Sequence, residues 1–262
     1  MQSWNTLRVV QDDRHVSTLV INRPERRNAL SQETVEEIHA CLLEMRGQRD
    51  LRVLVLTGEG SAFCAGADLK ERSTLSAEQT RHHRDSALRF IELIDTFPAP
   101  VIAMVNGPAF AGGMELALAC DIRVASENAS FALTEVVNAG SFPGAGGPVR
   151  LPKLVGRGRA SLIVFTGRPF SAREAYEMGV VEVLVPHDQL REATYRLAQE
   201  IAGNSPLGVR AAKQLIRQSN DLDVRSATDL SRALRDPLDK TRDYREGVTA
   251  WMERRKPNFT AE

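Results

Sequence analysis

Short apolar runs along the chain alternate with stretches in which apolar residues recur at helical spacing. Runs rich in β-branched residues predict strands at three places: HVSTLVI (15–21), LRVLVLTG (51–58) and PVIAMVN (100–106). The second and third runs are apolar almost throughout, as expected for strands covered on both faces. Between the first two runs, helical spacing predicts a helix from the residues Val35, Ile38, Leu42 and Met45. This alternation of strands and helices predicts an α/β fold.

Two further helices carry recognisable ends in the sequence. Residues 79–97 form a long helical pattern that Pro98 ends. The predicted buried stripe of this helix consists of Leu88, Ile91 and Ile94. Ser171 and Glu174 match a capping box, and Gly179 is suited to end the helix that they begin.

The chain changes character after the strand-like run VEVLVP (181–186). Residues 188 to about 255 have the pattern of successive helices, and no strand pattern interrupts them. We therefore expect a core over residues 1–187 and a C-terminal helical region over residues 188–262. No internal repeat or low-complexity segment divides either part further.

The charges and cysteines narrow the class of protein. Among 262 residues, 34 Lys and Arg balance 34 Asp and Glu, so no overall field attracts nucleic acid or an anionic membrane. The three cysteines are scattered without a CxxC pair, which argues against a disulfide framework and fits a reducing compartment. The first ten residues do not resemble a signal peptide, and no apolar stretch reaches membrane-spanning length. We expect a cytoplasmic protein without a membrane or nucleic-acid partner.

Glycine clusters follow several apolar runs, but the common glycine motifs do not fit them. GEGSAF (58–63) and GRGRAS (156–161) lack the last glycine of GxGxxG, and GxxxxGK[ST], GxSxG and HExxH are absent. The sequence therefore argues against P-loop or Rossmann nucleotide binding, a nucleophile elbow and zincin chemistry.

Two glycine-containing turns are suited to hold an oxyanion instead. Gly112-Gly113 stand at a loop–helix junction, where backbone N–H groups have no partner within the helix. Gly66-Ala67-Asp68 stand before a second helix start. If one N–H from each turn meets the other, together they form an oxyanion hole for a carbonyl that gains charge during reaction.

Two glutamates stand near these turns in apolar surroundings. Glu115 opens an apolar run in NGPAFAGGMELALACDI (106–122), and Glu135 lies in FALTEVVNAGSFPGAGG (131–147). Burial raises the pKa of a carboxyl group towards neutrality, where it exchanges protons readily. Two such acids in one pocket divide acid and base roles or share a water. The ordinary alternatives are a helix-start acid for Glu115 and a paired or exposed acid for Glu135.

The sequence resembles the enoyl-CoA hydratase/isomerase (crotonase) superfamily along nearly its whole length. Seven ordered blocks carry the resemblance: NRPERRNAL (22–30), VLTGEGSAFCAGADLKE (55–71), NGPAFAGGMELALACDIRVAS (106–126), FALTEVVNAGSFPGAGG (131–147), RLPKLVG (150–156), FTGRPFSAREAYEMGVVEVLVP (165–186) and ERRKPNF (253–259). The resemblance implies a crotonase-like ββα spiral core with a C-terminal helical region that serves assembly and closes the CoA site. It also implies a homotrimer or dimer of trimers acting on acyl-CoA thioesters, with CoA as part of the substrate and neither a separate cofactor nor a metal.

The matching positions imply roles for individual residues. They place the oxyanion-hole amides at Ala67 and Gly112, and the two catalytic glutamates at Glu115 and Glu135, 20 residues apart as in family hydratases. Family members with a single acid here are commonly isomerases or have other activities. The pair therefore favours an enoyl-CoA hydratase, a lyase of fatty acid metabolism.

The same match implies a set of CoA contacts. Predicted to bind CoA are Arg26, Ala65, Asp68, Leu69 and Lys70, together with Arg254, which in relatives reaches the CoA of the neighbouring subunit. For Asp68 we prefer a helix-capping role over contact with the substrate.

Departures from the family pattern leave the acyl group open. Ala111-Gly112-Gly113 replaces GGG, Pro108 replaces an aromatic residue, and GGPVRL (146–151) replaces GGTQRL. The first change leaves the inferred donor Gly112 in place, whereas Ser141-Phe142, Pro148 and Val149 leave open which acyl group fits. ADLKERSTLS resembles hydratases of branched, acidic substrates such as 3-methylglutaconyl-CoA. Straight, branched and acidic chains all remain candidates.

Two other functions remain open at this point: an enoyl-CoA isomerase, and a non-catalytic acyl-CoA-binding or RNA-binding module of the same fold. The remaining chemically notable residues have ordinary interpretations. We expect His82 and His83 on a solvated helix face rather than in a metal site, and Cys64 and Cys120 as small buried residues.

Overall fold

The three apolar runs form neighbouring parallel strands of one sheet. A computed structural model describes residues 3–12 and 14–262 of the chain. The strands of the main sheet, in spatial order, are β1 (Leu7–Gln11), β2 (Val16–Ile21), β3 (Val53–Gly58), β4 (Val101–Val105), β6 (Ile122–Ser126) and β9 (Val183–Val185). β1 pairs with β2 in antiparallel orientation, and the other neighbours are parallel. The strand predictions at 15–21, 51–58, 100–106 and 181–186 are confirmed.

A second, smaller sheet lies beside the first. Its strands, in spatial order, are β5 (Ala109–Phe110), β7 (Ser130–Ala132) and β8 (Phe170–Ser171). Phe131 stacks on Phe170 across the antiparallel β7–β8 pair, with ring centroids 5.8 Å apart.

Helices cover both sheets and make up the C-terminal part of the chain. Those before β9 are α1 (Gln32–Arg46), α2 (Leu69–Arg72), α3 (Ala77–Asp95), α4 (Gly112–Ala119), α5 (Glu135–Asn138), α6 (Gly147–Thr166) and α7 (Ala172–Met178). Those after β9 are α8 (Leu190–Ala202), α9 (Pro206–Ser219), α10 (Val224–Arg235) and α11 (Arg242–Met252). Short 3-10 turns occupy Pro24–Arg26, His187–Gln189 and Leu238–Lys240. As predicted, residues 188–255 contain helices and no strand.

Capping side chains set the helix ends. α3 begins two residues earlier than predicted because Ser76 and Gln79 form a capping box at its start. α7 begins with the predicted capping box of Ser171 and Glu174 and ends at Gly179, whose φ of 82° suits a glycine C-cap.

The central strands of the main sheet are buried on both faces, as the apolar runs predict. β2, β3 and β4 are buried at every position. One face packs against an extended core that includes α1, α3 and α4, and the other packs against α8 through Leu190, Ala198 and Ala202. The α/β prediction is confirmed, and the first helix after residue 187 contributes directly to the core. Among the described residues, no helix has the length and apolarity that a membrane crossing requires.

Candidate active site

Two loops meet at the carboxyl-terminal edge of the main sheet. β3 and β4 are parallel neighbours, so the loops that follow them, 59–68 and 106–111, leave the sheet on the same side. Their backbones are joined where Phe110 N donates to the Cys64 carbonyl over 2.9 Å. This pairing brings the two glycine-containing turns into contact.

The predicted oxyanion-hole amides lie close together. A Cβ atom built on Gly112, at the start of α4, would lie 4.0 Å from the backbone nitrogen of Ala67. Gly66 has a φ of +86°, and a Cβ there would lie 2.9 Å from the Phe110 carbonyl oxygen, so only glycine permits this approach. Within residues 3–12 and 14–262, neither the Ala67 nor the Gly112 N–H donates to a protein acceptor.

Leu30 fixes the turn that carries Ala67. The Leu30 N–H donates to the Gly66 carbonyl at 2.8 Å, and the Asp68 N–H donates back to the Leu30 carbonyl at 3.0 Å. These two bonds flank Ala67 and form a parallel bridge between Leu30 and Ala67. The two bonds use the backbone groups on either side of Ala67, so they fix the position of the Ala67 amide and leave its N–H unbonded within the described residues.

Glu115 lies in the first turn of α4 with only 3% of its surface exposed. Its Oε1 accepts hydrogen bonds from the backbone N–H groups of Ala145 and Gly147, both at 2.8 Å. Gly147 is the first residue of α6, so the carboxylate also lies at the positive end of that helix.

Glu135 is the first residue of α5 and is half-buried. Its Oε2 atom is buried and has no hydrogen-bond partner among the described residues. A buried carboxyl oxygen without a partner is costly in a purely structural role, which marks Glu135 as a candidate for contact with a ligand.

Burial shifts the proton affinity of both acids. It raises the pKa of Glu115 from 4.5 to about 7; the Gly147 N–H opposes this rise and the charge of Glu135 reinforces it. Burial also raises the pKa of Glu135. The charge of Glu135 raises the pKa of Glu115, so the two carboxyl groups lie near enough to interact electrostatically.

The sequence model of the enoyl-CoA hydratase/isomerase family matches residues 12–262 of this chain. The chain belongs to the enoyl-CoA hydratase/isomerase family. The resemblance based on the seven sequence blocks is thereby confirmed.

Individual members of the enoyl-CoA hydratase/isomerase family align over nearly the whole chain. The 2,3-dehydroadipyl-CoA hydratase of Escherichia coli strain K12 is 37% identical over 251 residues, which is 96% of this chain and 97% of that protein. The enoyl-CoA isomerase/hydratase of Mycosarcoma maydis is 36% identical over 250 residues, or 92% of this chain and 91% of that protein. The crystal structure of the enoyl-CoA hydratase from Bacillus anthracis is 41% identical with a TM-score of 0.96, covering 98% of this chain and all of that one. This structural likeness confirms the predicted crotonase-like fold.

Most of the predicted CoA contacts lie around the Ala67 turn. The Ala65 N–H donates to the Arg27 carbonyl at 3.1 Å, which joins the loop that carries Arg26 to this turn. Arg26 is exposed, as are Leu69 and Lys70 on α2. In this enoyl-CoA hydratase/isomerase family member, these residues form an accessible surface beside the two amides, and their contact with CoA stays a prediction.

Asp68 caps α2, as we preferred from the sequence. Its side chain accepts from the Glu71 N–H at 3.3 Å and forms an ion pair with Arg23 at 3.1 Å. The side chain is therefore engaged with protein, and a CoA contact of Asp68 stays a separate prediction.

Arg254 lies apart from this cluster. It is exposed just beyond the end of α11, and its N–H donates to the Trp251 carbonyl at 3.2 Å. Within the described part of the chain, no observed contact connects it to the glutamates, so its predicted role in a neighbouring subunit stays a prediction.

The expectation that the two histidines lie on a solvated face is wrong for His83. His82 is exposed, but His83 is 3% exposed and its Nε2 lies 3.0 Å from the Leu30 carbonyl oxygen. Burial lowers the pKa of His83, so the ring is neutral near pH 7. The helical spacing gave no warning because Leu30, whose carbonyl lies against His83, is 53 residues away in sequence. The three cysteines are free and buried, as expected for Cys64 and Cys120.

Two groups at the site were not predicted from the sequence. The Ala145 and Gly147 amides hold Glu115, but a backbone donor has no residue-type signature. Arg150 contacts the same turn, since its Nη1 donates to the Ala145 carbonyl at 3.1 Å. The sequence could have indicated Arg150 as a site residue, because its block GGPVRL follows the Glu135 segment directly.

A cavity of about 860 Å³ borders this turn. Ala145, Gly146 and Arg150 line it, whereas Glu115 and Glu135 are not among its lining residues. A second cavity, of about 620 Å³, lies between α9, α10 and α11. Neither Ala67 nor Gly112 lines either of these two cavities.

Proposed function

We propose that this enzyme reversibly adds water across the 2,3 double bond of a 2-enoyl-CoA thioester. Two features support the proposal: the shielded acids Glu115 and Glu135, and the neighbouring amides of Ala67 and Gly112. Glu115 lies in the first turn of the helix that starts at Gly112. Such a set divides the reaction into charge stabilisation at oxygen and proton transfer at carbon and water.

In this proposal the thioester carbonyl oxygen accepts hydrogen bonds from Ala67 and Gly112. Both N–H groups lack protein acceptors within the described residues, so they are available to the substrate. They polarise the conjugated alkene and stabilise the enolate-like charge that forms on addition. The loss of one such donor typically costs about 2.7–4 kcal/mol of transition-state stabilisation.

The two acids then act on opposite components of the reaction. Ionised Glu115 accepts a proton from a water whose oxygen bonds to C3, and protonated Glu135 gives its proton to C2. Two backbone N–H groups hold Oε1 of Glu115 and oppose the rise of its pKa, whereas Oε2 of Glu135 has no partner among the described residues. Burial raises the pKa of both carboxyl groups, which suits both to proton exchange. One water is added in total, and proton exchange returns both acids to their starting states.

The substrate contacts and the assembly form part of the same proposal. Arg26, Lys70 and the Ala65 turn would contact the CoA portion, and Arg254 would serve the CoA of a neighbouring subunit in a trimer or dimer of trimers. The exposure of Arg26 and Lys70 beside the Ala67 turn supports this role. CoA enters as part of the substrate, and the scheme uses no separate cofactor.

The proposal is tested by incubating the purified protein with crotonyl-CoA and a branched enoyl-CoA. Hydration removes the conjugated thioester absorbance and yields a 3-hydroxyacyl-CoA. A wider panel that includes an acidic acyl chain should be compared by kcat/KM, because the Escherichia coli relative is named for 2,3-dehydroadipyl-CoA. Hydration of no member of the panel would contradict the proposal.

An isomerase is the second candidate. The buried, unpartnered Oε2 of Glu135 is suited to move a proton between two carbons by itself, and the Mycosarcoma maydis relative is named isomerase/hydratase. Deuterium incorporation from heavy water without a hydroxyacyl product would favour the isomerase. Tight acyl-CoA binding without turnover would instead favour a binding module.

A further inference from the structure

Arg150 connects the turn that holds Glu115 to a distant helix. It lies in the first part of α6, and its Nη1 donates to the Ala145 carbonyl at 3.1 Å. Its Nη2 lies 3.4 Å from Oδ2 of Asp95, the last residue of α3. One guanidinium thus bridges the turn and α3.

Gly146 allows the guanidinium to lie directly against the turn. A Cβ atom built on Gly146 would lie 1.9 Å from Nη1 of Arg150, and the φ of +104° at this residue is also rarely adopted by other residues. The neighbouring residues Ala145 and Gly147 are those whose N–H groups bind Glu115. The turn therefore contacts Arg150 and Glu115 within three consecutive residues.

Arg150 also affects Glu115 electrostatically. The charged groups that influence Glu115 are Glu135 on α5 and Arg150 on α6; on α3, Asp95 pairs with Arg150. Burial and the Glu135 charge raise the pKa of Glu115, and the charge of Arg150 lowers it. Arg150 thus favours the ionised form of Glu115 that the proposed function requires.

A purely stabilising role explains this ion pair poorly. The side chains of Arg150 and Asp95 are 19% and 33% exposed, and partly exposed ion pairs contribute little to folding stability. Their geometric effect is more specific, because Asp95 holds Arg150 and Arg150 contacts the short segment that orients Glu115.

We propose that Arg150, held by Asp95, is a positioning residue for Glu115: it fixes the Ala145–Gly147 turn, whose two N–H groups orient the Glu115 carboxylate for reaction with water. The importance of this contact for turnover rests on the proposed function, whereas the link between Arg150 and the proton affinity of Glu115 does not.

The test compares Arg150→Gln, Arg150→Lys and Asp95→Asn with the wild type. Lys153→Gln is the matched control. Lys153 lies three residues after Arg150 in α6, and its substitution removes an exposed ion pair with Asp221. With crotonyl-CoA, Arg150→Gln should lower kcat about 10- to 100-fold, the scale of a misplaced catalytic group, and change KM much less. In the pH profile of kcat/KM, the acidic limb of Arg150→Gln should lie at higher pH than that of the wild type, because Glu115 loses a neighbouring cation.

The other variants separate charge from geometry. Arg150→Lys should return the acidic limb towards its wild-type position but leave kcat reduced, since an ammonium group does not reproduce the planar, two-sided contact. Asp95→Asn should lower kcat less than Arg150→Gln does. Lys153→Gln should match the wild type in both respects.

Two results would overturn the inference. The first is an Arg150→Gln enzyme with the kcat and acidic limb of the Lys153→Gln control. The second is a wild-type kcat in both Arg150→Lys and Asp95→Asn. This result would decide the question even if Arg150→Gln does not fold.

A readout without turnover separates this inference from the proposed function. If the wild type hydrates no enoyl-CoA, the proposed function fails, and carbon-13 NMR of glutamate-labelled protein then decides the inference. Glu115→Gln assigns the Glu115 signal. A higher titration midpoint in Arg150→Gln, or in Asp95→Asn a midpoint different from wild type, supports the link to Arg150; unchanged midpoints in both contradict it.

Discussion

Oε1 of Glu115 and the backbone nitrogen of Gly147 lie 2.8 Å apart, which joins the start of α4 to the start of α6 across 32 residues of sequence. The bond places the carboxylate at the N-terminus of α6, where the helix dipole favours its charged form. Burial and the charge of Glu135 act in the opposite direction. The balance brings the pKa of Glu115 to about 7, where a carboxyl group exchanges protons under physiological conditions.

Replacing either glutamate should remove most of the hydration activity. Glu115→Gln and Glu135→Gln keep the side-chain shape but abolish proton transfer, so each should lower kcat by about 10²- to 10⁴-fold. The measurement is loss of the conjugated absorbance of crotonyl-CoA. Glu127→Gln, at an exposed ion pair with Arg173, is the control and should retain wild-type activity. Full activity in the Glu115→Gln, Glu135→Gln double variant would refute the assignment.

Glu115 should also make folding stability depend on pH. Its folded pKa of about 7 exceeds the ordinary value of 4.5, so the folded state binds a proton more tightly than the unfolded state. The contribution of Glu115 to the free energy of unfolding is therefore most favourable below pH 4.5 and is lost as pH rises through 7. About 1.4 kcal/mol per pKa unit makes the total change about 3 kcal/mol.

Urea unfolding of the wild type and Glu115→Gln at several pH values measures this effect. Between pH 4.5 and pH 7.5, the stability of Glu115→Gln relative to the wild type should increase by about 3 kcal/mol. A difference between the two proteins that does not change with pH would show that Glu115 has an ordinary proton affinity.

Gly112→Ala should reduce activity while leaving the fold intact. The added methyl group would lie 3.7 Å from the Gly66 Cα and 4.0 Å from the Ala67 nitrogen, which is ordinary contact for a folded chain. It would nevertheless occupy space beside the Ala67 amide that the thioester oxygen requires. We expect kcat/KM to fall about 10²-fold, the scale of a lost oxyanion donor, with the melting temperature nearly unchanged.

Gly113→Ala, at the adjacent glycine, should instead lower the stability of the fold. A Cβ on Gly113 would lie 2.1 Å from the Cys64 carbonyl oxygen, so Gly113→Ala forces α4 and the 59–68 loop apart. Overpacking of this kind costs about 1–3 kcal/mol, which a lowered melting temperature would report. Equal activity in Gly112→Ala and the wild type would contradict the predicted position of the hole.

Gly146→Ala should impair catalysis by displacing Arg150. The new methyl group would contact the guanidinium at 1.9 Å, and the φ of +104° at this residue adds strain of about 1–3 kcal/mol. Gly158→Ala, also in α6, is the control because its Cβ would meet nothing within 4 Å. We expect lower kcat and stability only in Gly146→Ala, measured by crotonyl-CoA hydration and thermal unfolding; wild-type kcat in Gly146→Ala would argue against the role of Arg150.

The proposed trimer can be tested at the C-terminal helix. α11 exposes apolar side chains, with Trp251 81%, Met252 72% and Val248 45% exposed. Trp251→Glu should lower the molar mass measured by light scattering, because a charge would be buried in the contact. Thr249→Glu adds the same charge at an exposed polar position of α11 and should leave the mass unchanged. A monomeric wild type would contradict the proposed assembly.

Local patterns were sufficient to predict the elements of the fold. β-Branched residues identified β2, and nearly continuous apolar runs identified β3 and β4, because a strand buried on both faces has no polar alternation. The capping box at Ser171 is encoded within four residues and was predicted correctly. The start of α3 was misplaced by two residues because the capping pair at Ser76 precedes its apolar stripe.

The sequence by itself also determined the family and the candidate acids, because ordered motif blocks keep Glu115 and Glu135 at a fixed spacing. Only the tertiary structure decided how these residues are held. The amides that bind Glu115 come from a turn 30 residues away, and Arg150 meets Asp95 across 55 residues. Every residue but proline offers the same backbone N–H, so residue type cannot reveal which amide points into a site. The packing of parallel strands and distant helices makes that choice, and it also buries His83 on a helix that its own sequence marks as polar.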